Sequence, residues 1–315
     1  MIGIVLLVFL FLILGLGFGV YRYVLYSPVG NQNDPRRLPT GEQFDPKREE
    51  MLRYIDDLLA RPSERVSIVS RDGLRLVADY YPGQLGRPVH ICCHGYRSLG
   101  PRDFCGIAQS LLEQGDGVLL IHQRSQGASE GHTITFGVRE REDVLLWARY
   151  AEQRFGSQTP LFLYGLSMGA ATVLMASALP LPKNVKGVIA DCPFDSPRDI
   201  IVHSAQKAVP HAGLLWPFLQ LGAFLFGHGL RFGSICCHEA VQKATVPLLI
   251  LHGEDDRFVP AAMSAPIAAA APDRVTRLLF PRAGHGMSFF EDPARYTASI
   301  QAFILEQTDS IPVVF

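Results

Sequence analysis

The chain has almost no net charge: 29 lysines and arginines stand against 30 aspartates and glutamates, a formal −1 at pH 7. Without a basic excess there is little to release counterions from a phosphate backbone, which argues against a nucleic-acid partner. No block of like charges marks an interaction tail, and no internal period announces a solenoid or propeller. Cysteine is sparse too, six in 315 residues, and four of these are the adjacent pairs Cys92–Cys93 and Cys236–Cys237. Neighbouring cysteines rarely bridge each other without strain. The pattern is therefore not that of a disulfide-stapled secreted domain, and it agrees with a reducing compartment. A bridge between the two doublets stays open on spacing alone.

Charge is missing altogether from Met1 to Tyr21, MIGIVLLVFLFLILGLGFGVY. At a rise of about 1.5 Å per residue, about 20 such residues cross the roughly 30 Å hydrocarbon layer. Tyr21, Tyr23 and Tyr26 come next with Arg22 among them, a composition suited to the membrane interface. A cleaved signal peptide is the competing reading. It lacks support here, because no cation precedes the run, the run is long, and no small-residue cleavage site succeeds it. Residues 1–26 therefore read as a retained single-pass anchor. Arg22, Arg36, Arg37, Lys47 and Arg48 all lie after the apolar run, which puts the main domain in the cytoplasm by the positive-inside rule. Gly15 and Gly19 have the spacing of a helix-dimerisation face, or merely the small-residue content of membrane helices.

Past the anchor the chain divides into a linker and short helix (27–61) and one domain (62–315). Residues 27–45, SPVGNQNDPRRLPTGEQFD, are polar and rich in turn formers. Met51, Leu52, Ile55, Leu58 and Leu59 then recur at helical spacing. Beyond them VSIVSRDG and LRLVADYYP pair as a hairpin about Asp72–Gly73. Short apolar runs next alternate with helical patterns: PVHICC, GVLLIH, PLFLYG, VKGVIAD, VPLLIL and VTRLLF. Such alternation predicts an α/β domain with a mostly parallel sheet covered on both faces. Residues 195–244 interrupt it. Their stretch HAGLLWPFLQLGAFLFGHG is apolar nearly all round but too short and broken for a second span, and it reads as an inserted lid.

The strand PLFLYG runs directly into Gly165-Leu166-Ser167-Met168-Gly169 and then into a small-residue helix. G-x-S-x-G between strand and helix puts a serine on a tight turn, where Gly165 and Gly169 must be small and the helix N-terminus favours a developing oxyanion. A serine hydroxyl needs a general base. Among ten histidines, His285 sits between two glycines on the loop after the last strand. An acid must come from another strand end. HGEDDRFVP supplies three adjacent candidates, Glu254, Asp255 and Asp256, and Asp191 at the end of VKGVIAD is a fourth. The order Ser167, Asp256, His285 is the one this chemistry takes when the serine is on such an elbow.

From about residue 66 to 307 the chain resembles the α/β-hydrolase superfamily, and within it the lidded serine hydrolases of the serine aminopeptidase and monoacylglycerol lipase group. CCHGYRS (92–98), HQRSQGASEG (122–131), GLSMG (165–169) and HGEDDRFVP with AGHGM carry the resemblance. It implies an α/β-hydrolase fold, Asp256 as the acid within HG-x-x-D-x-x-VP, and His94–Gly95 as the loop whose next residue, Tyr96, offers a backbone N–H beside that of Met168 as the oxyanion hole. The family's Asp-x-Arg-Gly-x-Gly is here His122-Gln123-Arg124-Ser125-Gln126-Gly127, a departure that leaves the loop's role open. The expected activity is hydrolysis of an ester of a small, partly hydrophobic acyl substrate through an acyl-enzyme, with no cofactor. Thioester or peptide hydrolysis on the same three residues are alternatives, as are a silent hydrolase-fold binding protein and a membrane adaptor. The triplet Cys-Cys-His occurs at 92–94 and 236–238. In the first, alternate strand side chains face opposite ways and cannot share an ion, so no metal is expected. Oligomeric state is not encoded in any of these signals.

Overall fold

The computed structural model describes residues 2–28 and 34–308. Eleven helices and eight strands are described, in the order α1 (Ile2–Val24), α2 (Arg48–Leu59), β1 (Glu64–Val69), β2 (Arg75–Tyr81), β3 (Val89–Cys93), α3 (Gly100–Glu113), β4 (Gly117–His122), α4 (Glu140–Phe155), β5 (Leu161–Leu166) and α5 (Met168–Ala176). Then come β6 (Val185–Asp191), α6 (Pro197–Gln206), α7 (Trp216–Phe226), α8 (Cys237–Lys243), β7 (Leu248–Gly253), α9 (Ala265–Ala270), β8 (Val275–Phe280), α10 (Ser288–Glu291) and α11 (Pro293–Thr308).

One sheet runs β1-β2-β4-β3-β5-β6-β7-β8. β1 and β2 form the antiparallel hairpin, β2 meets β4 antiparallel, and every later pairing is parallel. The central strands bury both faces; all five residues of β3 and all six of β7 are buried. That is why they read as continuous apolar runs rather than alternating ones. Two cores result. One, under α1, α4, α5 and the 195–244 segment, contains Cys93, Trp147, Met168 and Leu219. The other, under α2, α3 and α11, contains Cys92, Ile55, Phe104 and Ile300. Cys92 and Cys93 thus lie on opposite sides of the sheet, as strand alternation requires.

The 195–244 segment leaves the sheet after β6 and returns at β7, folding as α6, α7 and α8. Its apolar helix α7 packs along α1. A Cβ on Gly222 would sit 2.1 Å from the carbonyl oxygen of Gly17, so the two backbones touch there. Phe226 closes the contact against Phe18 and Tyr21, with ring centroids 5.1 and 5.8 Å away. The close crossing thus joins Gly17 to Gly222 within one chain, whereas Gly15 and Gly19, the pair with dimerisation spacing, have nothing within 4 Å of an added Cβ.

The C-terminal end of α1 is built into the domain rather than merely tethered to it. Tyr21 and Leu25 are buried in the first core. Tyr21 Oη lies 2.8 Å from Thr133 Oγ1. The last carbonyls of a helix lack intrahelical donors. Here Tyr96 Oη donates to Val24 O at 2.7 Å, and Arg97 Nη2 donates to Tyr23 O and Tyr26 O at 2.9 and 3.0 Å. Farther out, α1 is bare: Ile4 to Leu12 are each more than half exposed. In the stretch read as a linker, Leu38 is buried against the second core. Residues 29–33 of that stretch lie outside the described residues.

The glycine crossing yields a stability difference. Gly222→Val drives a branched side chain into the Gly17 backbone and should destabilise the protein by about 1–3 kcal/mol, the usual cost of overpacking. Gly19→Ala fills open space on a helix and should be neutral or mildly stabilising. Thermal unfolding of both variants in neutral detergent measures this.

Candidate functional site

β5 delivers the chain into α5 with Ser167 at the corner, φ 56° and ψ −115°. Side-chain-bearing residues rarely adopt this conformation, and surrounding structure must hold them there. The restraint comes from both sides. A Cβ on Gly165 would lie 2.1 Å from Gly169 O, and one on Gly169 only 1.8 Å from Cys93 O. Both positions are therefore confined to glycine by backbone contact. Ser167 N–H donates to Asp191 O at 2.8 Å, tying the corner to the end of β6.

His285 reaches this corner from the loop after β8. Its Nε2 lies 2.9 Å from Ser167 Oγ and its Nδ1 lies 2.7 Å from Asp256 Oδ2. Asp256 lies just past β7 and is buried, while Glu254 and Asp255 beside it are exposed turn residues. The other oxygen of Asp256 accepts the N–H groups of Phe258 and Val259, each at 2.8 Å. Burial opposes ionisation of this carboxyl. Hydrogen bonding from His252 and His285, the charge of His285 and the Val259 N–H outweigh that and hold it well below the usual carboxylate range. A carboxylate locked at one oxygen by two amides can present the other in a single direction.

His94 and Gly95 shape the neighbouring loop without touching Ser167 Oγ. His94 is fully buried, and burial pushes its imidazole down to about 3, so it is neutral. Its Nε2 accepts the Gln123 N–H at 3.2 Å, which leaves the proton on Nδ1, 2.8 Å from Gly95 O. Gly95 N–H donates to Asp103 at 2.6 Å, and Arg97 N–H donates to Gln126 Oε1 at 2.6 Å. Between them, Tyr96 N–H has no acceptor among the described residues. Met168 is the first residue of α5, so its N–H also lacks an intrahelical partner. Tyr96, Met168 and Ser167 line one pocket.

The loop that departs from the family pattern has a supporting part in this arrangement. Gln123 donates its side-chain amide to His94 O, and Gln126 holds Arg97. Arg124 is buried in a double ion pair with Asp143 and Asp72, at 2.6 and 2.9 Å. Gln43 is a contributor that sequence reasoning missed. Its Oε1 accepts the N–H of His285 at 3.1 Å, and it fills the space that a Cβ on Gly284 would need. Nothing in a polar, turn-rich stretch so far from His285 signals that contact.

Asp191, the rival acid, does not meet His285. Tyr296 Oη donates to its Oδ2 at 2.7 Å, and Tyr164 Oη lies 2.5 Å from Tyr296 Oη. The Cys-Cys-His triplets differ from one another. Around the second, His238 Nδ1 is 2.7 Å from Asp195 and its Nε2 is 3.5 Å from Cys236 Sγ, while Cys237 turns inward toward Phe194 O. Three donors converge there, one fewer than a structural tetrahedral site uses.

The pocket over Ser167 has a volume of about 560 Å³. One wall is the 195–244 segment, through Ile200, Ala205, Val209 and Leu219. Another wall is α1, through Gly15, Leu16, Gly19, Val20, Tyr23 and Val24. The glycines leave a notch where the helix faces the pocket.

Comparison with known proteins gives a consistent picture. A profile of the alpha/beta hydrolase family matches residues 91–299. The protein YqkD of Bacillus subtilis is 23% identical over 224 residues, 70% of this chain and 72% of its own length. The lysophosphatidylserine lipase ABHD12 of Danio rerio is 28% identical over 187 residues, which are 56% of this chain and only 45% of that protein. Among solved structures, the esterase Pf2001 of Pyrococcus furiosus superposes with a TM-score of 0.63 at 19% identity, covering 80% of this chain and 95% of that one.

The buried Asp191 sets a pH dependence. Burial drives its carboxyl up to about 6, against the opposing hydrogen bond from Tyr296. The unperturbed value is 3.8. Between those values the native state keeps a proton that the unfolded chain releases, so Asp191 makes stability fall as pH rises through this window, by up to roughly 3 kcal/mol. Asp191→Asn should flatten that decline. Thermal denaturation of both proteins from about pH 4 to 7 measures the difference.

Proposed function

Because the chain belongs to the alpha/beta hydrolase family, we propose that Ser167, His285 and Asp256 act together as the catalytic triad of an ester hydrolase. The observation that carries this reading is the imidazole of His285, which bridges a strained, glycine-flanked serine and a buried carboxylate at 2.9 and 2.7 Å. Ser167 Oγ attacks the acyl carbonyl as His285 Nε2 takes its proton. Asp256 holds Nδ1–H and supports the imidazolium. The developing oxyanion accepts from Tyr96 N–H and Met168 N–H, each such donor contributing about 3 kcal/mol to lowering the barrier. His285 then protonates the leaving alcohol, and water repeats the sequence on the acyl-enzyme.

The pocket supports a substrate with a hydrophobic acyl part, because its walls are α1 and an apolar inserted segment. That segment acts as a lid over Ser167. The segment Gly3–Val24 is long and apolar enough to cross a bilayer. We read it as a single-pass anchor. The cations on its C-terminal side favour a cytoplasmic catalytic domain. Exposed Phe224, Leu225 and Phe226 of α7 extend the bare apolar surface beside it.

Substitution separates the acids. Asp256→Asn should lower turnover by about three to four orders of magnitude, as a misoriented base does, while Glu254→Gln and Asp255→Asn should leave it nearly unchanged. A fluorophosphonate probe should label the wild type and not Ser167→Ala, and p-nitrophenyl octanoate should be preferred to the acetate. Equal labelling of Ser167→Ala would sink the triad reading.

A further inference from the structure

A second cavity, of about 530 Å³, adjoins the Ser167 pocket and shares Tyr23 and Arg97 with it. Its character is opposite. Four of its nine lining residues are arginines, Arg22, Arg37, Arg97 and Arg102, and none is acidic. Among the described residues no ion pair neutralises any of the four.

Each guanidinium is accounted for in a way that keeps its charge free. Arg97 and Arg102 donate only to backbone carbonyls, those of Tyr23 and Tyr26 and those of Asp34 and Pro35. Arg22 lies over the Tyr26 ring, 3.6 Å from its centroid. Arg37 is exposed, and its side chain has no hydrogen-bond partner among the described residues. The nearest acids are already engaged: Asp34 accepts from Arg36 N–H, and Asp103 from Gly95 N–H and Ser98. Burial, and the neighbouring charge of Arg37, hold Arg102 below its ordinary value against the pull of Asp103 and Asp34. Four like charges around one space favour an anion there, and planar guanidinium forks suit the oxygens of a phosphate or carboxylate.

We infer that this cavity is a headgroup subsite, holding the acidic group of a single-chain ester whose acyl part occupies the Ser167 pocket. The inference rests on the reading of Ser167 as the nucleophile. It narrows the substrate class from apolar acyl esters in general to anionic amphiphiles. Arg97 joins the two compartments, since it lines both of them.

The test uses the full chain in neutral detergent micelles and two competitors of equal chain length, dodecyl phosphate and the neutral dodecyl glycerol ether. Dodecyl phosphate should protect Ser167 from a fluorophosphonate at about a tenfold lower concentration, the gain expected of one or two charge-assisted hydrogen bonds. Arg37→Gln, which removes no side-chain hydrogen bond or ion pair among the described residues, should erase most of that advantage, and Arg37→Lys should retain part of it. Equal protection by both competitors, or an advantage untouched by Arg37→Gln, overturns the inference. Flotation with vesicles containing anionic lipid separates a second source of the same chemistry. If Arg37→Gln weakens vesicle binding but leaves the advantage intact in micelles, the arginines serve the bilayer surface and the subsite is refuted. Absence of any labelling would count against the Ser167 reading alone, because calorimetric titration of dodecyl phosphate into Ser167→Ala protein reads the same preference without a nucleophile.

Discussion

The contact between Gly169 and the carbonyl of Cys93 is the constraint on which the site depends. It lets the N-terminus of α5 press against the end of β3, closer than any side chain allows. That approach produces the left-handed backbone of Ser167 and the exposure of its hydroxyl to a pocket. It also brings Met168 N–H toward the loop that carries Tyr96. The parallel sheet supplies the rest, because β7 and β8 end on the same edge as β5 and release Asp256 and His285 there. A strained residue costs about 1–3 kcal/mol, and the packed strands on either side are what hold it.

The parts of this arrangement that rest on local geometry were legible in the sequence. A turn that excludes Cβ atoms writes glycine at positions 165 and 169, and buried parallel strands write continuous apolar runs. The bracketing of Asp256 by His252–Gly253 and Val259–Pro260, read through the family resemblance, singled out one acid of three, and the structure buries Asp256 while Glu254 and Asp255 are exposed. Contacts over long sequence separations were not legible. Gln43 meets His285 across 242 positions, and Tyr96 meets Val24 across 72. Neither has a periodicity or a motif, because each partner needs only a donor or an acceptor at a place that the tertiary fold decides. Gly15 and Gly19 show the same limit from the other side. Their spacing suggested a helix partner, while the helix contact in fact falls on Gly17, half a turn away.

The N-terminal helix has two segments of different character. Its outer part is apolar and bare, suited to lipid. Its last turns are capped by Tyr96 and Arg97, residues of the very loop that borders Ser167. Helix and site are thereby mechanically joined, and α1 itself forms one wall of the Ser167 pocket. An acyl chain in that pocket would lie along the helix, so the position of α1 relative to Ser167 is a property of the fold rather than of a flexible tether.

The claim that α1 forms a wall of the Ser167 pocket is tested most directly by photo-crosslinking. A fluorophosphonate with a twelve-carbon chain and a terminal diazirine would be coupled to Ser167, irradiated, and its adducts located by mass spectrometry of the digested protein. The account predicts adducts on the α1 peptide between Gly15 and Val24 together with adducts on α6 and α7. Adducts on α6 and α7 with none on α1 would contradict it.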